Sequence, residues 1–222
     1  MSVNDATVRL VGFGRPDGDD APSEVLAHAM NRGASTRLVT DSHGSDLDRI
    51  DQGAIDWREY LEGTHWLIIS ASTSLEGDSA RSAWGASMTF AELEGSKTVM
   101  IVDMPENPGR LAEAWGNTIE RIRQVHVLLI RSDTLAELSR LEDVAEQDLL
   151  LEVRQRGLVP YVCGFIEPNL VQVDHSLGSV KVSTDSSISE MSWLSGFICK
   201  LPSSGPGPHG VISAAESAGI IV

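Results

Sequence analysis

The chain has 222 residues, and its 32 acidic against 17 basic side chains give a net charge of -15 and a pI of about 4.7. A surface this acidic repels phosphate backbones and anionic lipid, which argues against nucleic-acid and membrane binding. The apolar fraction of 41% is typical of a folded protein, and the length suits one domain over residues 1–222.

The predicted elements alternate between short apolar runs and longer segments with helical period. This pattern is typical of βαβ units and of a mainly parallel sheet between layers of helices. Strands are predicted at residues 7–13, 36–40, 65–70, 98–102, 125–130, 159–163, 170–173 and 180–183. Helices are predicted at residues 24–32, 57–63, 77–94, 111–124, 135–156 (one helix or two), 189–201 and 211–222. The Pro- and Gly-rich segment 202–210 is predicted to be an irregular connector.

The two cysteines, Cys163 and Cys199, lie in apolar surroundings and outside any CxxC motif. Such cysteines are typical of buried free thiols in a reducing compartment. The N-terminal residues show no basic region followed by a long apolar stretch, and the longest apolar runs are far shorter than the roughly 20 residues of a membrane span. We therefore expect a cytoplasmic protein.

A glycine cluster at Gly12, Gly14 and Gly18 directly follows the first predicted strand. Its third glycine is displaced from the G-x-G-x-x-G spacing of dinucleotide sites, and Asp17 and Asp20 would repel a pyrophosphate. The cluster therefore indicates an acidic surface loop. The sequence contains no P-loop, no G-x-S-x-G elbow and no histidine pair at i, i+4, and it predicts no metal site.

Several segments follow one another in an order that carries more information than any of them alone. These are HWLIISAST, VMIVDMPENPGRLAEAW, HVLLIRSDTLAELSRL, RGLVPYVCGF and VSTDSSISEMSWLSGFICKL. In this order they resemble the ribokinase-like (PfkB) carbohydrate kinases, and most of all the 2-keto-3-deoxygluconate kinases. The resemblance implies an α/β fold, a three-layer sandwich with a mainly parallel central sheet. For an active member it also implies Mg-ATP and a sugar or sugar-acid substrate.

The resemblance also assigns residues to a kinase-like site. It places Asp103 and Arg110 in the substrate-binding part. On the nucleotide side it places Glu137, Gly164, Asp185, Ser186 and Ser187.

The departures from the family pattern concern the phosphate-binding helix. In the family, a G-A-G-D sequence at a helix N-terminus offers backbone N–H groups to the phosphoryl group, and its Asp acts as the base. When the family's segment is aligned on Asp185 and Gly196, Met191 stands at the position of the base, and Ile188 and Glu190 stand at glycine positions. A thioether cannot accept a proton. Glu190 is the fallback base, although one residue corresponds to a rotation of about 100° on a helix.

Other departures concern charge and length. Acidic residues replace the family's glycines and asparagine at four further positions, Asp19, Asp20, Glu24 and Glu167. The chain is also short for the family, and we expect the β lid that closes over the sugar to be missing. An open site does not exclude water.

Three functions remain open on these residues. The first is a catalytically silent protein that needs no cofactor and serves as a binding or regulatory partner. The second is an active kinase that uses Mg-ATP and Glu190 as a displaced base. The third is a sensor that holds a sugar acid near Asp103 and Arg110. We expect a protein partner or a sugar-acid ligand, and a bare sheet edge favours self-association.

Overall fold

The computed structural model describes residues 7–15, 18–40, 44, 46–205 and 207–220. Within these residues all strands belong to one sheet, with the order β2-β1-β3-β4-β5-β6-β7-β8. The strands are β1 Arg9–Gly12, β2 Ser35–Leu38, β3 Trp66–Ser70, β4 Lys97–Val102, β5 Val125–Ile130, β6 Tyr161–Glu167, β7 Leu170–His175 and β8 Gly178–Ser183. Strands β1 to β6 are parallel, β7 is antiparallel to both its neighbours, and β8 therefore runs in the same direction as the first six.

Helices cover both faces of this sheet. They are α1 Ala21–Asn31, α2 Trp57–Leu61, α3 Asp78–Glu94, α4 Leu111–Glu120, α5 Ser132–Glu142, α6 Glu146–Gly157, α7 Glu190–Ser204 and α8 Pro208–Ala218. Helices α2 to α6 share one apolar cluster with the sheet, and α1, α7 and α8 share the cluster on the other face. Within β3, Leu67 and Ile69 belong to the first cluster, whereas Trp66 and Ile68 belong to the second. The predicted three-layer sandwich is confirmed.

The segment predicted as an irregular connector is largely helical, which corrects the sequence-based prediction. Helix α7 continues through Pro202 to Ser204, and α8 begins at Pro208. A proline has no N–H, so the carbonyl of Ile198, one turn earlier, loses its helical donor. Trp66 supplies the missing donor, because its Nε1 lies 2.8 Å from the Ile198 oxygen. This partner is 132 residues away in the sequence, so local composition could not show it.

Two helix boundaries depend on single residues. Helix α1 begins earlier than expected because the Asp20 side chain accepts a hydrogen bond from the Ser23 N–H and so caps the helix. The long helical segment after β5 divides at Asp143, which has a φ of 53° and ends α5. The alternative of two short helices is therefore the one observed. No helix in the described part of the chain is both long and apolar enough to cross a membrane.

Candidate functional site

The carboxyl ends of the parallel strands meet at one edge of the sheet, which we call the carboxyl edge. Ligands of open parallel sheets bind outside this edge. Because β8 is parallel to the first six strands, the chain leaves β8 at the carboxyl edge and enters α7 there. A cleft of about 580 Å³ lies between the start of α5, the turn that joins β6 to β7 and the start of α7. We call it the carboxyl-edge cleft.

Glu190 joins the N-terminal ends of two helices. It is the first residue of α7, and its Oε1 accepts a hydrogen bond from the backbone N–H of Ser132, the first residue of α5, at 3.0 Å. Its Oε2 accepts a hydrogen bond from Arg131 Nε at 3.3 Å. Helix N-termini favour an anion through their free N–H groups and their dipoles. The chain thus places its own carboxylate, only 16% exposed, at the position where an external anion would bind.

Met191, which the resemblance assigns to the position of the family's base, is 2% exposed and packs in the apolar cluster of α1, α7 and α8. Ile188 packs against the same cluster. Both residues line the carboxyl-edge cleft, where they present apolar groups only. Neither side chain can transfer a proton.

Asp103 follows β4 directly and has both carboxylate oxygens engaged by one residue. The Ser72 backbone N–H donates to Oδ1 at 3.1 Å, and the Ser72 hydroxyl donates to Oδ2 at 2.6 Å. Burial raises the pKa of Asp103, although the two bonds from Ser72 and the charge of Arg131 act in the opposite direction. Sequence reasoning missed Ser72. The polar run that follows β3 was its only signal.

Arg110 is engaged away from Asp103. Its guanidinium donates two hydrogen bonds to Glu113, at 2.8 and 2.9 Å, and a third to the Leu75 carbonyl at 3.1 Å. The hydrogen bonds that Arg110 donates to Glu113 raise the pKa of Arg110. The two residues assigned to substrate binding therefore have different partners.

Two residues assigned to the nucleotide side have roles that the packing explains. Glu137 lies on α5 outside the lining of the carboxyl-edge cleft, and it accepts a hydrogen bond from Arg140 at 2.8 Å. Gly164 lies within β6, where a Cβ would be 2.9 Å from the Ile130 carbonyl oxygen of the neighbouring strand. Strand and helix packing thus accounts for this glycine.

The other three residues of this group share one exposed turn at the carboxyl edge. Asp185 Oδ1 accepts hydrogen bonds from the backbone N–H of Ser187 at 3.0 Å and from its hydroxyl at 2.8 Å. These bonds lower the pKa of Asp185. Ser186 lies exposed between them. The structure therefore brings Asp185, Ser186 and Ser187 together beside the start of α7.

The carboxyl-edge cleft is acidic. Four glutamates line it against a single arginine, Arg131; they are Glu24, Glu146, Glu167 and Glu190. Elsewhere in the structure, after β1, Arg15 donates to Glu76 and to Glu106, each at 2.7 Å. The described residues contain no group of three His, Cys, Asp or Glu side chains that could hold a metal ion. Asp17 of the glycine cluster lies outside the described residues.

Comparison of the sequence with models of protein families and with curated proteins finds no match. Solved structures do match. A fructokinase double mutant from Vibrio cholerae O395, bound to fructose, ADP and potassium, superposes with a TM-score of 0.75 at 12% identity, over 97% of this chain and 91% of that one. The chain has the ribokinase-like fold of the PfkB-family kinases.

Two further structures agree with this fold. The 2-dehydro-3-deoxygluconokinase from Thermotoga maritima gives a TM-score of 0.70 at 14% identity, over 96% of this chain and 91% of that one. The aminoimidazole riboside kinase from Salmonella enterica, with its riboside and an ATP analogue, gives 0.67 at 13% identity, over 95% of this chain and 91% of that one. The ribokinase-like fold expected from the order of the sequence segments is confirmed.

Proposed function

We propose that this protein is catalytically silent and uses the ribokinase-like scaffold for binding or regulation. One observation carries the proposal. The Glu190 carboxylate lies between the N-termini of α5 and α7 and pairs with Arg131. The resemblance assigns this position to a transferred phosphoryl group, and the presence of the chain's own carboxylate there supports the proposal.

Electrostatics opposes a phosphate at this position. Two unit charges of like sign 4 Å apart repel by about 1 kcal/mol in water and about 4 kcal/mol near a protein surface. A phosphate would meet Glu190 first, and it would also have to replace that carboxylate at the Ser132 N–H. The side chain of Ile188, where the family has glycine, further restricts approach to the backbone. The residues present therefore do not fit Mg-ATP, and we derive no transfer step.

The chain also offers no free base at this position. Met191 has no group that takes a proton. Glu190 would have to release the hydrogen bonds from Arg131 and Ser132 before it could accept one from a sugar hydroxyl. The competing function, an active sugar or sugar-acid kinase, depends on that release.

A phosphotransfer assay tests the proposal. The purified protein is incubated with Mg-ATP and, in turn, 2-keto-3-deoxygluconate, fructose and aminoimidazole riboside, and phosphorylated product is measured. We expect none. Product formed by the wild type, lost in Glu190→Gln and kept in Glu137→Gln, would establish the active kinase instead. Glu137 is the matched control because it is also a glutamate paired with an arginine, outside the cleft.

A gain of anion binding tests the role of Glu190 directly. Glu190→Ala removes the internal anion and leaves the Ser132 N–H and Arg131 without it. We expect inorganic phosphate to raise the melting temperature of Glu190→Ala more than that of the wild type or of Glu137→Ala. Equal shifts in the three proteins would contradict the proposal.

The partner in this proposal is a protein or a small sugar acid, and the cytoplasm is the proposed location. Support for the location comes from Cys163 and Cys199, which are both free thiols.

A further inference from the structure

A second and larger cavity lies among the helices α1, α7 and α8, and it shares Ile188 and Ser189 with the carboxyl-edge cleft. Its volume is about 1160 Å³, and we call it the helix-layer cavity. One face of α7 forms its floor, through Ser192, Gly196, Cys199 and Ser203. These positions are three or four residues apart, so they lie in one row along the helix. Their side chains are small, which leaves the cavity open above them.

The charge of the helix-layer cavity differs from that of the whole protein. Among the described residues that line it, none is aspartate or glutamate, although the chain contains 32 of them. Its lining includes Arg32, Lys200, His28 and His65. Within the described ranges, neither Arg32 nor Lys200 forms an ion pair with a carboxylate, whereas Arg15, Arg110 and Arg131 all do.

Packing holds Arg32 in the cavity. It is the C-cap residue of α1, and its backbone N–H donates to the carbonyls of Ala29 and Met30. A Cβ on Gly196 would lie 3.1 Å from Arg32 Cζ and 3.0 Å from Ala218 Cα. The missing side chain at Gly196 therefore lets the guanidinium rest on α7 while α8 packs close to it.

The remaining donors of the helix-layer cavity include histidine and serine side chains, and His28 Nε2 lies 3.7 Å from Glu24 Oε1. His65 Nδ1 accepts a hydrogen bond from the Arg9 backbone N–H at 3.1 Å, so a neutral His65 carries its proton on Nε2. Serine hydroxyls line the α7 side. The C-terminal end of α1 opposes an anion, but a helix end amounts to only about half a unit charge, which is less than either full cation.

We propose that the helix-layer cavity binds a small organic anion that carries phosphate or carboxylate groups. A guanidinium and an ammonium group without carboxylate partners are the side chains that recognise such groups. The volume corresponds to that of a metabolite or cofactor site. This inference goes beyond the silent carboxyl-edge cleft and does not depend on it.

Thiol protection gives a local test, because the chain has only two cysteines. Cys199 lines the cavity, whereas Cys163 is fully buried and serves as the internal control. Inorganic pyrophosphate is the probe for phosphate and citrate the probe for carboxylate. We expect at least one of them to raise the melting temperature and to slow alkylation of Cys199 severalfold. Cys163 should stay unlabelled throughout.

Charge variants complete the test. Arg32→Gln and Lys200→Gln should each weaken binding of the active probe about tenfold, since each removes a charge-assisted hydrogen bond. Arg123→Gln and Lys181→Gln make the same charge change at exposed positions outside the cavity and should leave the affinity within about twofold. Circular dichroism checks that each variant is folded.

Three results would overturn the inference. They are no stabilisation by either probe, stabilisation without protection of Cys199, and equal losses in the cavity and control variants. None of these results bears on phosphotransfer, so this proposal and the silent site fail separately.

Discussion

The carboxyl-edge cleft and the helix-layer cavity have opposite charge. The cleft lies where open parallel sheets bind their ligands, but four glutamates line it against one arginine, which is already paired. The cavity lies in a helix layer, has no carboxylate among its described lining residues and holds two cations that form no ion pair within the described part of the chain. A fold thus predicts where a site lies, whereas the local charges decide which ligand can enter it.

The net charge of -15 makes this difference more important. An acidic surface repels anions in general, so a concave region of the opposite sign concentrates them locally. The positive charges of Arg32 and Lys200 therefore matter more here than they would on a neutral protein.

The largest effect is expected for a change that closes the cavity. Gly196→Val should lower the free energy of unfolding by about 2–3 kcal/mol, because the new side chain meets Ala218 and Arg32. It should also abolish the stabilisation by pyrophosphate or citrate. Gly116→Val on α4 is the matched control, since a Cβ there meets no atom within 4 Å, and its effect should stay within about 0.5 kcal/mol. Urea unfolding measures both. Equal losses would show that Gly196 has no packing role.

A smaller effect is expected at the carboxyl edge for Ser72→Ala. At pH 7 the variant should lose about 1–2 kcal/mol of stability, because the Asp103 carboxylate loses its shortest hydrogen bond. Burial holds the pKa of Asp103 above its unfolded value, so the folded state takes up this proton at a higher pH than the unfolded chain. The Ser72 hydroxyl lowers the pKa of Asp103 through its hydrogen bond, so removing this hydroxyl raises that pKa further.

The loss in Ser72→Ala should therefore shrink as the pH falls from 7 into the acidic range and Asp103 takes up its proton. Unfolding curves of the wild type and the variant at several pH values measure this difference. Ser204→Ala, which removes a hydroxyl near the protein surface, is the control and should show no such trend. A difference that stays constant with pH would contradict the charge of Asp103 as its cause.

Glu190→Gln should cost about 1 kcal/mol, because the amide oxygen can keep one hydrogen bond but the ion pair with Arg131 is lost. Glu137→Gln, in an exposed pair with Arg140, should cost no more than about 0.5 kcal/mol. Melting temperatures of the two variants at low and high salt measure these two losses of stability. A larger loss of stability in Glu137→Gln than in Glu190→Gln would mean that the bridge between α5 and α7 contributes little to stability.

The smallest effect concerns the chemistry of Cys199 in the cavity. Burial raises its pKa to about 11, although the charge of Arg32 acts in the opposite direction. Because the thiolate is the nucleophile, the alkylation rate should rise about tenfold per pH unit between pH 8 and 10. A plateau near pH 9 would show an ordinary, exposed thiol. Unlabelled Cys163 reports that the protein stays folded.

Local patterns predicted much of the fold. The eight described strands were all predicted, and β3 to β7 were the clearest apolar runs because strands buried on both faces are apolar along most of their length, whereas β2 and β8 are largely exposed. The helical course of residues 202–204 could not be predicted, since it depends on the indole of Trp66 donating to the Ile198 carbonyl across the fold. From composition alone, Pro202 predicts the end of the helix.

The assignment of Met191 and Glu190 to the kinase-like site came from the resemblance and stays a prediction. The sequence could not show that Glu190 reaches Ser132 and Arg131, 58 and 59 residues earlier. The helix-layer cavity left no motif at all, because Arg32 and Lys200 come together only through the packing of α1 on α7.

The most direct test measures the melting temperature of the Arg32→Gln/Lys200→Gln double variant with and without Mg-ATP. In this variant the helix-layer cavity has lost both unpaired cations, so a nucleotide that still binds must use another site. We expect no change in melting temperature, since Glu190 already occupies the helix N-termini at the carboxyl edge. A clear rise that grows on adding Glu190→Gln, which removes the repelling carboxylate, would place the nucleotide in the carboxyl-edge cleft and contradict a silent site.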